Sequence, residues 1–121
     1  MKIYVSHSRK LDFKPLLYDP LKQSELAKIH QFIFPHENSM GDYPSKRLMN
    51  EKGCDLVLAE VSYQTTGQGL ELGWADDSAI RIIFIYKTGS EISKSLWQVS
   101  SDFIEYSDPA DMIEKLVNFI K

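Results

Sequence analysis

Glu71 stands just past a glycine-bearing turn in the run from Asp55 to Ala75, DLVLAEVSYQTTGQGLELGWA. The apolar residues Leu56-Val57-Leu58-Ala59 lead to Glu60, and a polar stretch with Ser62, Thr65, Thr66, Gly67 and Gly69 follows. The pattern predicts a strand, a turn and a helix, with Glu71 one turn into the helix. Free backbone N–H groups at such a junction bind anions. Gly67 and Gly69 let the backbone approach a ligand closely, and the threonine hydroxyls add donors. A carboxylate beside that turn is either a nucleophile or general base, or a first-turn acid that complements the helix dipole. The turn is neither a full GxGxxG fingerprint nor a Walker lysine motif, and no cofactor is implied.

Other residues have the right types for chemistry. Glu60 closes the strand, where it either orients a partner or substrate hydroxyl or is a solvated strand end. Asp55, at the opposite end, reads as structural. Ser6, His7, Ser8 and Arg9 follow the first apolar run, with Arg9 able to clamp an anion. For His7 the alternative is an ordinary loop histidine. His36 and Glu37 form the best local acid/base pair by type. His30 reads as structural, and the three histidines lack metal-ligand spacing. Trp74 is either a cleft wall or a subunit contact, while the small residues Gly73 and Ala75 would let the helix close on the sheet.

These residues need a scaffold. Short apolar strands are expected at Lys2–Ser6, Gln31–Phe34, Asp55–Glu60, Arg81–Tyr86 and Asp102–Tyr106. Asp12 to His30 reads as two helical pieces broken near Tyr18-Asp19-Pro20. His36 to Tyr43, with Gly41, reads as a loop. Helices are expected at Pro44–Lys52, Gly67–Ser78 and Pro109–Ile120, the last capped by Asp108. Glu91 to Trp97 is a short helix or irregular. Alternating strands and helices imply a parallel sheet covered on both faces. The expected fold is a single α/β domain over residues 1–121, a doubly wound five-stranded parallel sheet in the order 2-1-3-4-5. Its ligand would sit at the carboxyl ends of strands one and three, where the order reverses.

Composition narrows the function. The chain has 121 residues, 43% hydrophobic and 26% charged, with net charge −3. An acidic balance without a dense Lys/Arg cluster argues against a nucleic-acid polymer as partner. The single cysteine, Cys54, excludes an internal disulfide and a cysteine-built zinc site. No stretch approaches the ~20 apolar residues that span a membrane, and the N-terminal apolar run is short for a signal peptide. A cytoplasmic location is expected.

The central run resembles the nucleoside 2-deoxyribosyltransferase family, most closely its 2'-deoxynucleoside 5'-phosphate N-hydrolase branch. That family has an apolar strand ending in Ala-Glu-Val, matched by Ala59-Glu60-Val61. A Ser-x-Gly-x-Gly-x-Glu-Leu-Gly element follows, matched from Thr65 to Gly73 with Thr65 in the serine position. The opening IYVSHSR is similar to the family's first strand and arginine-bearing loop. The resemblance implies a flavodoxin-like sheet and cleavage of an N-glycosidic bond in a nucleotide or nucleoside. It makes Glu71 the nucleophile at C1', while Thr65, Gly67 and Arg9 hold phosphate or sugar. Gly69, Ser6, His7 and His36 join them around the ligand, and Glu37 or Glu60 assists. Water at the glycosyl intermediate gives hydrolysis, and a second base gives transfer. Family members are usually dimers, so a homodimer or higher homo-oligomer is implied; Trp74, Tyr63 and Trp97 are the aromatic candidates for its contact.

The chain departs from that family in two places, one of them its N-terminal loop, which lacks the family's usual glycines. An aspartate in the helix before the third strand is replaced by Arg47, and the nearest acids are Asp42, Glu37 and Glu51. Two rival readings follow. One is a non-catalytic nucleotide-binding module. The other rests on IYVSHSRK with Asp12, which is similar to the opening of bacterial TIR domains, some of which cleave NAD.

Overall fold

A computed structural model describes residues 1–38 and 42–120; Gly41 of the expected loop lies outside the described residues. Five parallel strands form one sheet in the order β2-β1-β3-β4-β5: β1 Lys2–His7, β2 Gln31–Ile33, β3 Leu56–Glu60, β4 Arg81–Lys87 and β5 Phe103–Tyr106. The helices are α1 Asp19–Gln23, α2 Leu26–Ile29, α3 Ser45–Asn50, α4 Thr66–Asp77 and α5 Pro109–Phe119. This is the doubly wound, flavodoxin-like arrangement that the alternation of elements predicts.

Alternation along each strand divides the core into two layers. Ile3, Val5, Leu56, Leu58, Ile83, Ile85, Ile104 and Tyr106 pack with Leu17, Leu21 and Leu26 from the first helical region and Met112 and Leu116 of α5. On the other face Tyr4, Val57, Ala59, Ile82 and Phe84 pack with Met49 of α3 and with Leu72 and Ala75 of α4. Every residue of β3 is buried, as a central parallel strand requires.

Local differences from the sequence reading have physical causes. The helical region does not break at Pro20. A π-helical turn over Lys14–Tyr18 runs directly into α1, with the Asp19 N–H donating to the Lys14 carbonyl. Pro20 falls at the start of α1, where a missing N–H costs little. The break comes at Ser24, which is extended (φ −83°, ψ 162°) and whose hydroxyl donates to the Leu21 carbonyl. After α3 the left-handed residue is Lys52 (φ 52°), not Gly53. Gly53 is needed for space, because a Cβ there would lie 2.5 Å from Leu48 Cδ1. Ala75 lies against the sheet, but Gly73 is on the exposed side of α4, where a Cβ would meet nothing within 4 Å. Asp108 caps α5 by accepting from the Asp111 N–H at 2.8 Å. Between β4 and β5 the chain makes a short 3-10 helix at Lys94–Gln98. No helix of the described residues is long and apolar enough to cross a membrane.

Candidate active site

The β1–β3 register pairs Ser6 with Ala59 and His7 with Glu60, so both strands deliver their carboxyl ends to the point where the sheet order reverses. Even positions of β1 face α3 and α4. That places Tyr4 and Ser6 on one side of the sheet, under the helix that carries Glu71.

Three hydroxyls hold the Glu71 carboxylate. Tyr4 donates to Oε2 at 2.5 Å, Ser45 donates to Oε2 at 2.9 Å, and Ser6 donates to Oε1 at 3.0 Å. Tyr4 and Ser45 are also 2.6 Å apart, which ties β1 to the first residue of α3. Burial and the neighbouring Glu71 carboxylate push the Tyr4 phenol far up, so it remains a neutral donor at physiological pH. Helix α4 begins at Thr66, with extended Thr65 as its N-cap, and Glu71 falls in the second turn. The helix dipole acts within the first turn, so Glu71 is not a first-turn dipole partner.

A cleft of about 580 Å³ opens above this carboxylate. It is lined by His7, Arg9, His36, Thr65, Gly67 and Glu71, and so unites residues from three separate stretches of the sequence. The cations Arg9 and Lys46 and the acid Asp42 complete its charged lining, with Leu70 and Trp74 as apolar wall. On the far side of α4 a second cavity of about 500 Å³ runs to the Lys94–Gln98 helix. Gly69 and Gly73 face that cavity instead, and Thr65 and Gln68 are common to both.

His7 is buried beneath the cleft among aromatic rings. Its ring stacks on Phe13 with centroids 4.4 Å apart and meets Tyr18 and His36 edge-on. Burial pulls its pKa down to about 4. In the neutral ring Nδ1–H donates to the Ser8 carbonyl at 3.0 Å, and Nε2 accepts from the Tyr18 hydroxyl at 2.6 Å. The same hydroxyl accepts from the His36 N–H at 3.2 Å, so Tyr18 joins the loops after β1 and β2.

Two residues expected to assist lie elsewhere. Glu60 is 1% exposed and belongs to the opposite face of the sheet, beside Tyr106. Strand parity sends it there: Leu56, Leu58 and Glu60 alternate away from Ala59. Glu37 pairs with Lys22 at 2.5 Å, outside the residues that line the cleft. Arg47 is turned to solvent and bonds Glu51 at 3.2 Å, so of the three acids near the departed aspartate only Asp42 lines the cleft. Asp55 accepts the Lys2 N–H at 2.8 Å at the amino edge, and His30 lies near the N-terminal amine there. Cys54 is buried, and burial pushes its thiol up to about 11. Among the described residues no three His, Cys, Asp or Glu side chains gather as a metal site.

Sequence reasoning passed over Tyr4 and Ser45 as partners of Glu71. Tyr4 looks like core in an apolar strand, and the available signal is its period-2 relation to Ser6. Ser45 has no local signal, because only the arrival of α3 beside β1 brings it to Glu71.

No protein-family model matches the chain, and no curated protein sequence does. Its fold is similar to that in the structure of a CMP N-glycosidase of Clostridium botulinum, BcmB. The likeness covers 97% of this chain and 99% of that one, with a TM-score of 0.69 and 20% sequence identity. At that identity the likeness is one of fold.

Proposed function

We propose that the chain cleaves the N-glycosidic bond of a small nucleotide, with Glu71 as the nucleophile. The observation that carries this reading is the Glu71 carboxylate, fixed by Tyr4, Ser6 and Ser45 at the floor of a cleft that also holds Arg9, Lys46 and the start of α4. A fold shared with an enzyme described as a CMP N-glycosidase supports it.

In the proposed reaction a Glu71 oxygen attacks C1' and the C1'–N bond breaks. The electron pair leaves with the base, which takes a proton from Asp42. Water then attacks C1', releases the Glu71 carboxylate and gives its proton back to Asp42. The products are free base and sugar phosphate, with net retention at C1' in the enzymatic step. Arg9, Lys46 and the Thr65–Gly67 turn hold the phosphate. A second base in place of water gives transfer. Assembly of two or more copies belongs to the same reading, with the exposed Tyr63 and Trp97 as contact aromatics, and light scattering decides it.

The test is a panel of ribo- and deoxyribonucleoside monophosphates, nucleosides and NAD, with free base followed by chromatography and Glu71→Gln run alongside. Base release from a monophosphate is expected, falling by about 10³-fold or more in the variant. Release from NAD alone turns the assignment to the TIR-like chemistry. No release, with nucleotides still raising the melting temperature, turns it to a binding module.

A further inference from the structure

Glu60 is a buried carboxylate that the proposed reaction does not use, and its contacts tie the turn that follows it to β5. Its Oε1 accepts the Ser62 N–H at 2.7 Å, and its Oε2 accepts the Ser62 hydroxyl at 2.8 Å and the Tyr106 hydroxyl. Its backbone carbonyl accepts from Gln68 Nε2 at 2.8 Å. A carbonyl only accepts, so the Gln68 amide nitrogen must face it. Ser62 Oγ in turn accepts the Lys87 N–H at 2.8 Å, linking the turn to β4. Among the described residues no Lys or Arg pairs with Glu60. A buried carboxylate without a cation is held by its hydrogen bonds alone, and here each donor comes from a different element or from the turn itself.

We infer that Glu60 is the positioning residue of the cleft's anion-binding turn. Its side chain grips the turn's first residues at Ser62, and its carbonyl grips the far end at Gln68. The residues between them, Tyr63 to Gly67, include Thr65 and Gly67 of the cleft. Tyr106 anchors the grip from β5. Burial and the hydrogen bond to Glu60 push its phenol far up, so it stays a donor. Glu60 therefore acts on the ligand from the opposite face of the sheet, without touching it. The inference rests on the proposed reading only in naming the ligand as a phosphate-bearing nucleotide.

Tyr106→Phe is the discriminating variant, because Tyr106 belongs to the face away from Glu71 and its hydroxyl meets the turn only where Glu60 and Ser62 meet each other. KM for the monophosphate is expected to rise about threefold in Tyr106→Phe and about tenfold or more in Glu60→Ala, with kcat nearly constant. Glu60→Gln keeps an oxygen for the Ser62 N–H and recovers part of that loss. Amide exchange of Ser62 to Gly69 is expected to quicken in the same rank order. A fall in kcat at constant KM would assign Glu60 to the chemistry and overturn the inference, as would unchanged KM and unchanged exchange. If Glu60→Ala does not fold, Tyr106→Phe and Glu60→Gln decide. If the wild-type chain releases no base, the proposed reaction fails by itself, and the exchange rates still decide whether Glu60 holds the turn.

Discussion

The Tyr4 phenol donates to Glu71 Oε2 at 2.5 Å across 67 positions of sequence. This contact joins the first strand to the central helix and sets the direction of the carboxylate. A donor fixed in advance costs no reorganisation during reaction, which is how such contacts raise rates. Tyr4→Phe keeps the ring and removes the donor. Base release is expected to fall by about 10- to 100-fold, and stability by about 1 kcal/mol, because Oε2 of the half-buried Glu71 then keeps only Ser45. Steady-state kinetics and urea unfolding check the two effects separately.

Asp42 is the acid of the cleft besides Glu71 among the described residues. Asp42→Asn is expected to slow release of an ordinary base by about 10²- to 10⁴-fold, the usual worth of general acid catalysis. A substrate whose leaving group needs no proton, such as a nitrophenyl glycoside, is expected to lose much less. Equal losses on both substrates would remove Asp42 from the role of acid.

His7 predicts a pH dependence of stability. Its folded pKa is about 4, below the ordinary 6.5, because burial disfavours the charged ring. Between those values the unfolded chain binds a proton that the folded chain does not. Stability therefore rises with pH across this window, is complete above about 6.5, and is lost as pH falls toward 4. The contribution is on the order of 3 kcal/mol. Urea midpoints at pH 4.5 and 7.5 measure it, and His7→Gln is expected to flatten the difference between them. An equally steep profile in the variant would place the titrating group elsewhere.

Gly73 offers a stabilising substitution. It lies inside α4 where a Cβ meets nothing, so Gly73→Ala is expected to add about 0.5–1 kcal/mol. A rise of a few degrees in melting temperature checks this. A loss of stability would show that another surface closes on this side of the helix.

Much of this protein is legible without coordinates. The alternation of apolar segments with helical ones, the apolar run Ile82 to Ile85 and the Pro109 helix with its Asp108 cap determine the doubly wound sheet. The reversal of strand order then brings His7, Arg9, His36, Thr65, Gly67 and Glu71 to one cleft. These features are local: periods of 2 and 3.6 and the chemistry of caps act over a few residues. Only the tertiary structure decided which side chains meet. Tyr4 reaches Glu71 because the even face of β1 lies under α4, and Ser45 reaches it because α3 packs beside α4. Glu60 turns to the other face because it has the parity of Leu56 and Leu58, and Glu37 turns to Lys22. Contacts of this kind depend on register and on where a loop delivers a helix, and no short window of sequence carries that information.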